Sequence, residues 1–168
     1  MDLNSPKISR IIDNWIEEDI GEGDLTSSAI TQKMGKANWI AKEEGVFCGV
    51  GIIKTIFHKI DTKIDYNFLI NDGEKFLKDQ KLLELNGPSR SLLASERLSL
   101  NICMHLSGIS THTKNIVDIL KGTNINLADT RKTTPGLRIF EKYAFKCGGG
   151  VNHRMGLYDA AMIKENHI

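Results

Sequence analysis

Long hydrophobic runs are missing from this chain. Its most apolar stretch, "GVFCGVGII" at 45–53, is far shorter than the roughly 20 residues a spanning helix needs, so the sequence predicts no membrane segment. A charge excess is missing too: 22 Lys and Arg face 21 Asp and Glu, so nothing global argues for nucleic acid or a membrane surface as partner. Cysteine is sparse. Cys48, Cys103 and Cys147 are odd in number and show no C-x-x-C spacing, which argues against a disulfide framework and predicts reduced thiols in the cytoplasm. The opening "MDLNSPKISR" lacks a continuous apolar segment, so no signal peptide is expected. Repeats and low-complexity segments are absent, as is any Pro- or Ser-rich linker. A length of 168 residues suits one ordinary domain, or a small domain plus part of another.

The patterning that is present is mixed α and β. "SPKISRIIDNWI" predicts an opening helix, with Ser5 as cap, Pro6 in the first turn and Ile8, Ile11, Ile12, Trp15 and Ile16 at helical spacing. An acidic, glycine-rich loop follows at 18–26. "KANWIAK" (36–42), "IDYNFLI" (64–70) and "KLLELNG" (81–87) are strand-like, and "GVGIIKTIFHKI" (49–60) is a short helix presenting Ile52, Ile56 and Phe57. From Ser89 a helix carries Leu92, Leu93, Leu100, Cys103 and Met104 and ends at Gly108, and a second helix follows at once. Short strands are then expected at 125–129 ("INLAD") and 159–164 ("DAAMIK"), giving the helix–strand rhythm of parallel βα units. The expected division is an N-terminal α/β domain over 1–108 and a second unit over 109–168.

In parallel αβ architectures ligands gather at the carboxyl ends of strands. Arg131 and Lys132 follow the first of these strands, and Lys164 ends the second. Between 131 and 164 stand seven cations (Arg131, Lys132, Arg138, Lys142, Lys146, Arg154, Lys164) against Glu141 and Asp159, a local charge of +5. "LRIFEKYAFKC" predicts a helix with Leu137, Phe140, Tyr143 and Ala144 inward and Lys142 and Lys146 solvated. The glycines at 148–150 allow a sharp turn or close backbone approach. Arginine forks and lysine point charges on one rim suit a polyanion such as a phosphorylated sugar or a dicarboxylate. A charge run is more often plain solvated surface, and composition alone leaves both readings open.

Other chemistries find little footing. "GEGDLT" and "GVGIIK" lack the full dinucleotide fingerprint, and "GGG" before "NHR" is not a Walker loop. His153 and His167 lack metal-ligand spacing, and no metal site is expected. His58, His105 and His112 fit structural roles. Cys147 lies near cations, where a thiol gains reactivity, although a buried helix-end thiol is the plainer expectation.

The string "ADTRKTTPGLR…EKYAFKCGGGVNHRMGLYDAAMIKENHI", with "EEDIGEGDLTS" and "ASERLSLNICMHLSGIST" before it in the same order, resembles the quinolinate phosphoribosyltransferases. The resemblance covers essentially the whole chain. It implies an α+β sandwich domain followed by the first units of a type II phosphoribosyltransferase α/β barrel. The residues present form only the opening of such a barrel, since eight units take on the order of 200 residues or more. It implies transfer of a phosphoribosyl group from phosphoribosyl pyrophosphate to quinolinate, with loss of carbon dioxide and pyrophosphate, giving nicotinate mononucleotide for NAD synthesis. By the same resemblance Thr130, Arg131 and Lys132 bind substrate, His153 and Arg154 contact the quinolinate carboxylates, and Lys164 reaches both substrates. Lys132 and Lys164 are the implied catalytic pair. Arg97 is implied to cross a homodimer interface into the partner's pocket. Magnesium is implied with phosphoribosyl pyrophosphate, its acidic ligands lying outside this chain, and a separate C-terminal half is a candidate partner. Two alternatives are an inactive fragment with residual anion binding, and a related protein associated with molybdenum transport.

Overall fold

The computed structural model describes residues 5–168, apart from the side chain of His167. The sequence readings that fall on residues 1–4, and on the His167 imidazole, lie outside the described residues. Helix α1 (Pro6–Ile20) begins with proline in its first turn and buries Ile8 and Ile12. Ser5 precedes it in extended conformation, but its side chain makes no capping bond. The glycine-rich loop ends at Asp24, whose carboxylate accepts from the Ser27 amide at 3.0 Å and so caps the one-turn helix α2 (Leu25–Ser28).

Strands β1 (Met34–Ile40), β3 (Asp65–Phe68) and β5 (Lys81–Pro88) form an antiparallel sheet in the order β1-β5-β3. Trp39 and Phe68 flank Leu83, and Ala37 and Tyr66 flank Leu85. One face of the sheet is therefore apolar, as the period of two requires. The two-residue strands β2 (Gly45–Val46) and β4 (Lys75–Phe76), which carry no sequence signal of their own, pair separately.

Helix α3 (Val50–Ile60) has two apolar faces. Ile53 and Phe57 join the sheet cluster with Trp39, Leu83 and Leu85, while Ile52 and Ile56 join a helical cluster with Ile8, Ile12, Leu98, Leu106, Phe140 and Ala144. Across these two clusters runs α4, a single helix of 31 residues from Ser89 to Ile119. The expected break at Gly108 is not there: the helix continues through it, and a Cβ at this position would meet nothing within 4 Å. Leu93 and Met104, counted among its apolar positions, are exposed, and the buried face is instead rich in hydroxyls. Ser99 donates to the Ser95 carbonyl at 2.6 Å, Ser110 to the Ala144 carbonyl at 2.8 Å, and Ser107 accepts from the Cys48 amide at 3.0 Å. Small hydroxylated residues let neighbouring backbones approach while satisfying their polar groups.

Helix α5 (Arg138–Cys147) packs on α4 through Phe140 and Ala144. Neither expected barrel strand is an extended ladder. Residues 125–129 contribute one parallel bridge, Ala128 with Val151. Residues 159–164 have no strand partner among the described residues and are exposed, Ile163 included. Apolar strand-like segments become strands only where a neighbour supplies the hydrogen bonds. A short 3₁₀ turn follows at Glu165–His167. No described helix is long and apolar enough to cross a membrane.

Candidate functional site

Two loops meet beside α5, and one carboxylate joins them. The loop 129–137 leaves the Ala128 bridge, and the loop 151–156 leaves Val151 opposite. Asp129 takes the buried ammonium of Lys142 on α5 at one oxygen, which also accepts the His153 amide at 2.8 Å. With its amide nitrogen turned toward these acceptors, Asn152 donates to the other Asp129 oxygen and to the Lys142 carbonyl, both at 2.9 Å. Lys142 also donates to the Arg154 carbonyl at 3.3 Å. The expectation that Lys142 is solvated is therefore overturned: it is 1% exposed. The face of α5 opposite Phe140 is covered by these two loops rather than by water. Lys146, also expected in solvent, is exposed.

Arg138 is a second strut. Its guanidinium donates to the Thr133 hydroxyl at 3.0 Å, the Met155 carbonyl at 3.2 Å and the Arg131 carbonyl at 3.4 Å, again tying one loop to the other. Of the seven clustered cations, two thus hold the scaffold. Glu141 anchors the base of the first loop, accepting the Thr134 amide at 3.0 Å and facing His105 Nε2 at 3.0 Å. Burial pushes its carboxyl up, but the hydrogen bonds from Thr134 and His105 outweigh this and hold it below its ordinary value.

Thr130 and Lys132 line an open cavity of ≈ 410 Å³ with His105, Asp129, Glu141 and Lys142. The Thr130 hydroxyl accepts the Lys132 amide at 3.0 Å, fixing the turn between them. Arg131 is half-buried, and its Nε is enclosed without a hydrogen-bond partner among the described residues. On the second loop, His153 is exposed and its Nδ1 accepts the Arg154 amide at 2.8 Å. In the neutral ring this assigns the proton to Nε2, which points a donor outward. Arg154 donates to the Ala160 carbonyl at 2.7 Å, and Asp159 accepts the Met155 amide at 2.7 Å. The segment toward Lys164 is thereby attached to the second loop. Lys164 itself is exposed on that segment and is not among the residues lining the cavity. Arg97 is exposed on α4, also away from that lining.

Asp129 and Lys142 tie the Thr130–Lys132 loop to the His153–Arg154 loop; of the expected site residues only Thr130 and Lys132 line the cavity, while Arg131, His153, Arg154, Arg97 and Lys164 do not. Sequence reading missed the Asp129 and Glu141 anchors. Their signal was an acid inside the run of cations, Glu141, and another just ahead of it, Asp129, which read as charge balance until the partners are seen. Chemically the arrangement offers fixed cations and N–H donors to an anion, with no activated nucleophile in it. The nearby carboxylates are unsuited to hard divalent cations, since Asp129 is taken by Lys142, Asn152 and His153, and Glu141 by Thr134 and His105.

The quinolinate phosphoribosyl transferase N-terminal domain matches residues 24–107, and the C-terminal domain of the same family matches 109–168. A Bacillus subtilis protein named "Probable nicotinate-nucleotide pyrophosphorylase (carboxylating)" is 45% identical over 167 residues, covering 99% of this chain and 58% of its own. A decarboxylating quinolinate phosphoribosyltransferase of Nicotiana tabacum is 40% identical over 161 residues, covering 94% of this chain and 45% of its own. The solved nicotinate-nucleotide pyrophosphorylase of Francisella tularensis superposes with a TM-score of 0.94 at 38% identity, covering 98% of this chain and 60% of that one. The chain spans about half to three-fifths of the length of these relatives.

Proposed function

Because the chain belongs to the quinolinate phosphoribosyltransferase family, we propose that it carries the quinolinate side of a site for phosphoribosyl transfer with decarboxylation. One observation carries this reading: the enclosed Arg131 Nε, which has no hydrogen-bond partner among the described residues. An unsatisfied buried donor costs about 1–3 kcal/mol, and a carboxylate oxygen of quinolinate would satisfy it with a charge-assisted bond.

The roles of the residues follow. Arg131 and the outward Nε2–H of His153 hold the two ring carboxylates, and Arg154 sets the His153 tautomer from behind. Thr130 and Lys132 bind beside the cavity mouth, and Lys132 and Lys164 place positive charge where the leaving group develops negative charge. The ring nitrogen forms its bond to the anomeric carbon as the bond to pyrophosphate oxygen breaks. The carboxylate next to that nitrogen then leaves as carbon dioxide, and the electron pair it leaves on the ring carbon takes a proton. Positioning and fixed charge suffice for the protein's part. Magnesium is proposed to arrive with phosphoribosyl pyrophosphate. The carboxylates beside this site do not fit it, so its ligands belong outside the residues present and no step is assigned through it.

A homodimer is part of the proposal, with Arg97 entering the partner's site. Leu93 and Met104, 45% and 58% exposed, flank Arg97 at helical spacing on α4 and support an interface there. A cytoplasmic location is proposed as well, in keeping with three free thiols. A turnover assay with quinolinate, phosphoribosyl pyrophosphate and magnesium, following nicotinate mononucleotide, tests the reading. Product that disappears in Arg131→Ala supports it. Undiminished product in that variant would refute the role of Arg131, and a folded chain that neither turns over nor binds quinolinate would overturn the reading.

A further inference from the structure

Away from the anion site, three elements converge on a pair of thiols. Cys48 lies in the loop before α3 and is 0% exposed, while Cys147 is the last residue of α5 and is half-buried. Their sulfurs and a carboxylate oxygen of Asp72 all lie within 4.8 Å of one another. The carboxylate has a structural explanation. One oxygen accepts the Gly49 and Val50 amides at 2.7 and 2.9 Å, capping α3, and the other accepts the Tyr143 hydroxyl at 2.6 Å. With both oxygens engaged, Asp72 is better read as a cap than as a metal ligand. Both thiols pack in or against the helical core cluster, but their closeness to each other has no part in the proposed reaction.

The two sulfurs are unlike. Hydrogen bonding from Cys48, aided by neighbouring Lys146, holds the Cys147 thiol below its ordinary value, while the same contact and burial push the Cys48 thiol up. A half-buried thiol made more acidic, close to a fully buried one made less acidic, is the asymmetry of an attacking and a resolving cysteine.

We propose that Cys147 is an oxidation site for hydroperoxides, resolved by Cys48 into an intramolecular disulfide. The Cys147 thiolate attacks the peroxide, its sulfur taking one oxygen as the O–O bond breaks and hydroxide leaves. The Cys48 sulfur then displaces that oxygen, and its thiol proton leaves with it as water. Two thiols are oxidised and one peroxide is reduced, so the step balances. The sulfurs lie no more than 4.8 Å apart, and closing to the bonded distance of about 2.0 Å is within the sweep of a cysteine rotamer change. Gly148 and Gly150 are buried after Cys147, so the closing movement falls to the cysteine side chains rather than to the chain beyond α5. The bond would tie the end of α5 to the loop before α3 at the point from which the His153 loop departs.

The test is stoichiometric hydrogen peroxide on the folded chain in the presence of a chelator, read by intact mass and peptide mapping. The expected result is loss of two hydrogens, a Cys48–Cys147 cross-link, and restoration of the starting mass by a dithiol reductant. Cys48→Ala should instead leave Cys147 as a sulfenic acid that a 1,3-diketone traps. If that variant fails to fold, Cys103→Ser, which should still form the cross-link, keeps the wild-type mapping interpretable. An unchanged wild-type mass, cross-links scattered over Cys103, or the same yield in denaturant as in the folded protein would each overturn the proposal.

Discussion

Lys142 and Asp129 form an ion pair whose side chains are 1% and 7% exposed, and this pair joins the two loops of the candidate site. Of the two lysines lining the cavity, Lys142 is therefore already spent and Lys132 remains. What the loops offer a ligand comes from Arg131, Lys132, His153 and Arg154, held in place by a cation that does not itself face solvent.

Removing one partner should be costly. Lys142→Met leaves the Asp129 carboxylate buried without its cation, and breaking a buried pair in this way destabilises by about 3–5 kcal/mol. Urea unfolding followed by circular dichroism measures it. A loss under about 1 kcal/mol would show that water reaches the pair after all.

His153 should act through Nε2. His153→Gln places an amide donor near that position and should keep part of the quinolinate affinity. His153→Asn mimics Nδ1, so it should preserve the bond from the Arg154 amide and lose roughly tenfold in affinity. Equal affinities for the two variants, by calorimetry, would contradict the assigned tautomer.

Two glycines should respond in opposite directions. A Cβ at Gly148 would lie 2.4 Å from the Ser110 carbonyl oxygen and 2.6 Å from Thr113 Cβ, so Gly148→Ala should cost about 1–3 kcal/mol by overpacking α5 against α4. Gly108 lies inside α4 with open space around it, and Gly108→Ala should stabilise by about 0.5–1 kcal/mol. Thermal melts of the two variants decide both.

Acid should loosen the first loop through Glu141. Its carboxyl is held below its ordinary value of 4.5, so the native state binds that proton less readily than the unfolded chain. Its contribution is present above pH 4.5 and is lost as the pH falls through the lower native value. Glu141→Gln should therefore be less stable than the wild type near neutrality, with the gap narrowing on acidification. A gap independent of pH would remove Glu141 from this role.

Much of this was legible in the sequence, and the failures have physical causes. The helix at 49–60 and the strand at 81–87 form where their apolar residues placed them, while the strand expected at 36–42 lies two residues earlier, at Met34–Ile40, and β5 buries Leu82 as well as Leu83 and Leu85. Gly108 misled because glycine ends helices only where the next residues leave them, and here both flanks stay packed on α3 and α5. Lys142 misled because its own helix is amphipathic about Phe140, while the cover on its other face comes from the irregular loops on either side of α5, which carry no period to reveal it. Cys48, Asp72 and Cys147 are too far apart in sequence to leave any spacing signal. The strand at 159–164 has the right composition but no neighbour among the described residues to pair with.

The most direct measurement is calorimetric titration of quinolinate into the folded 168-residue chain and into Arg131→Ala. The account predicts binding to the wild type that weakens at least about tenfold in the variant, with an unchanged melting temperature. Equal affinity in the two proteins, or no binding to a chain shown to be folded, would contradict the claim that these loops form the dicarboxylate side of the site.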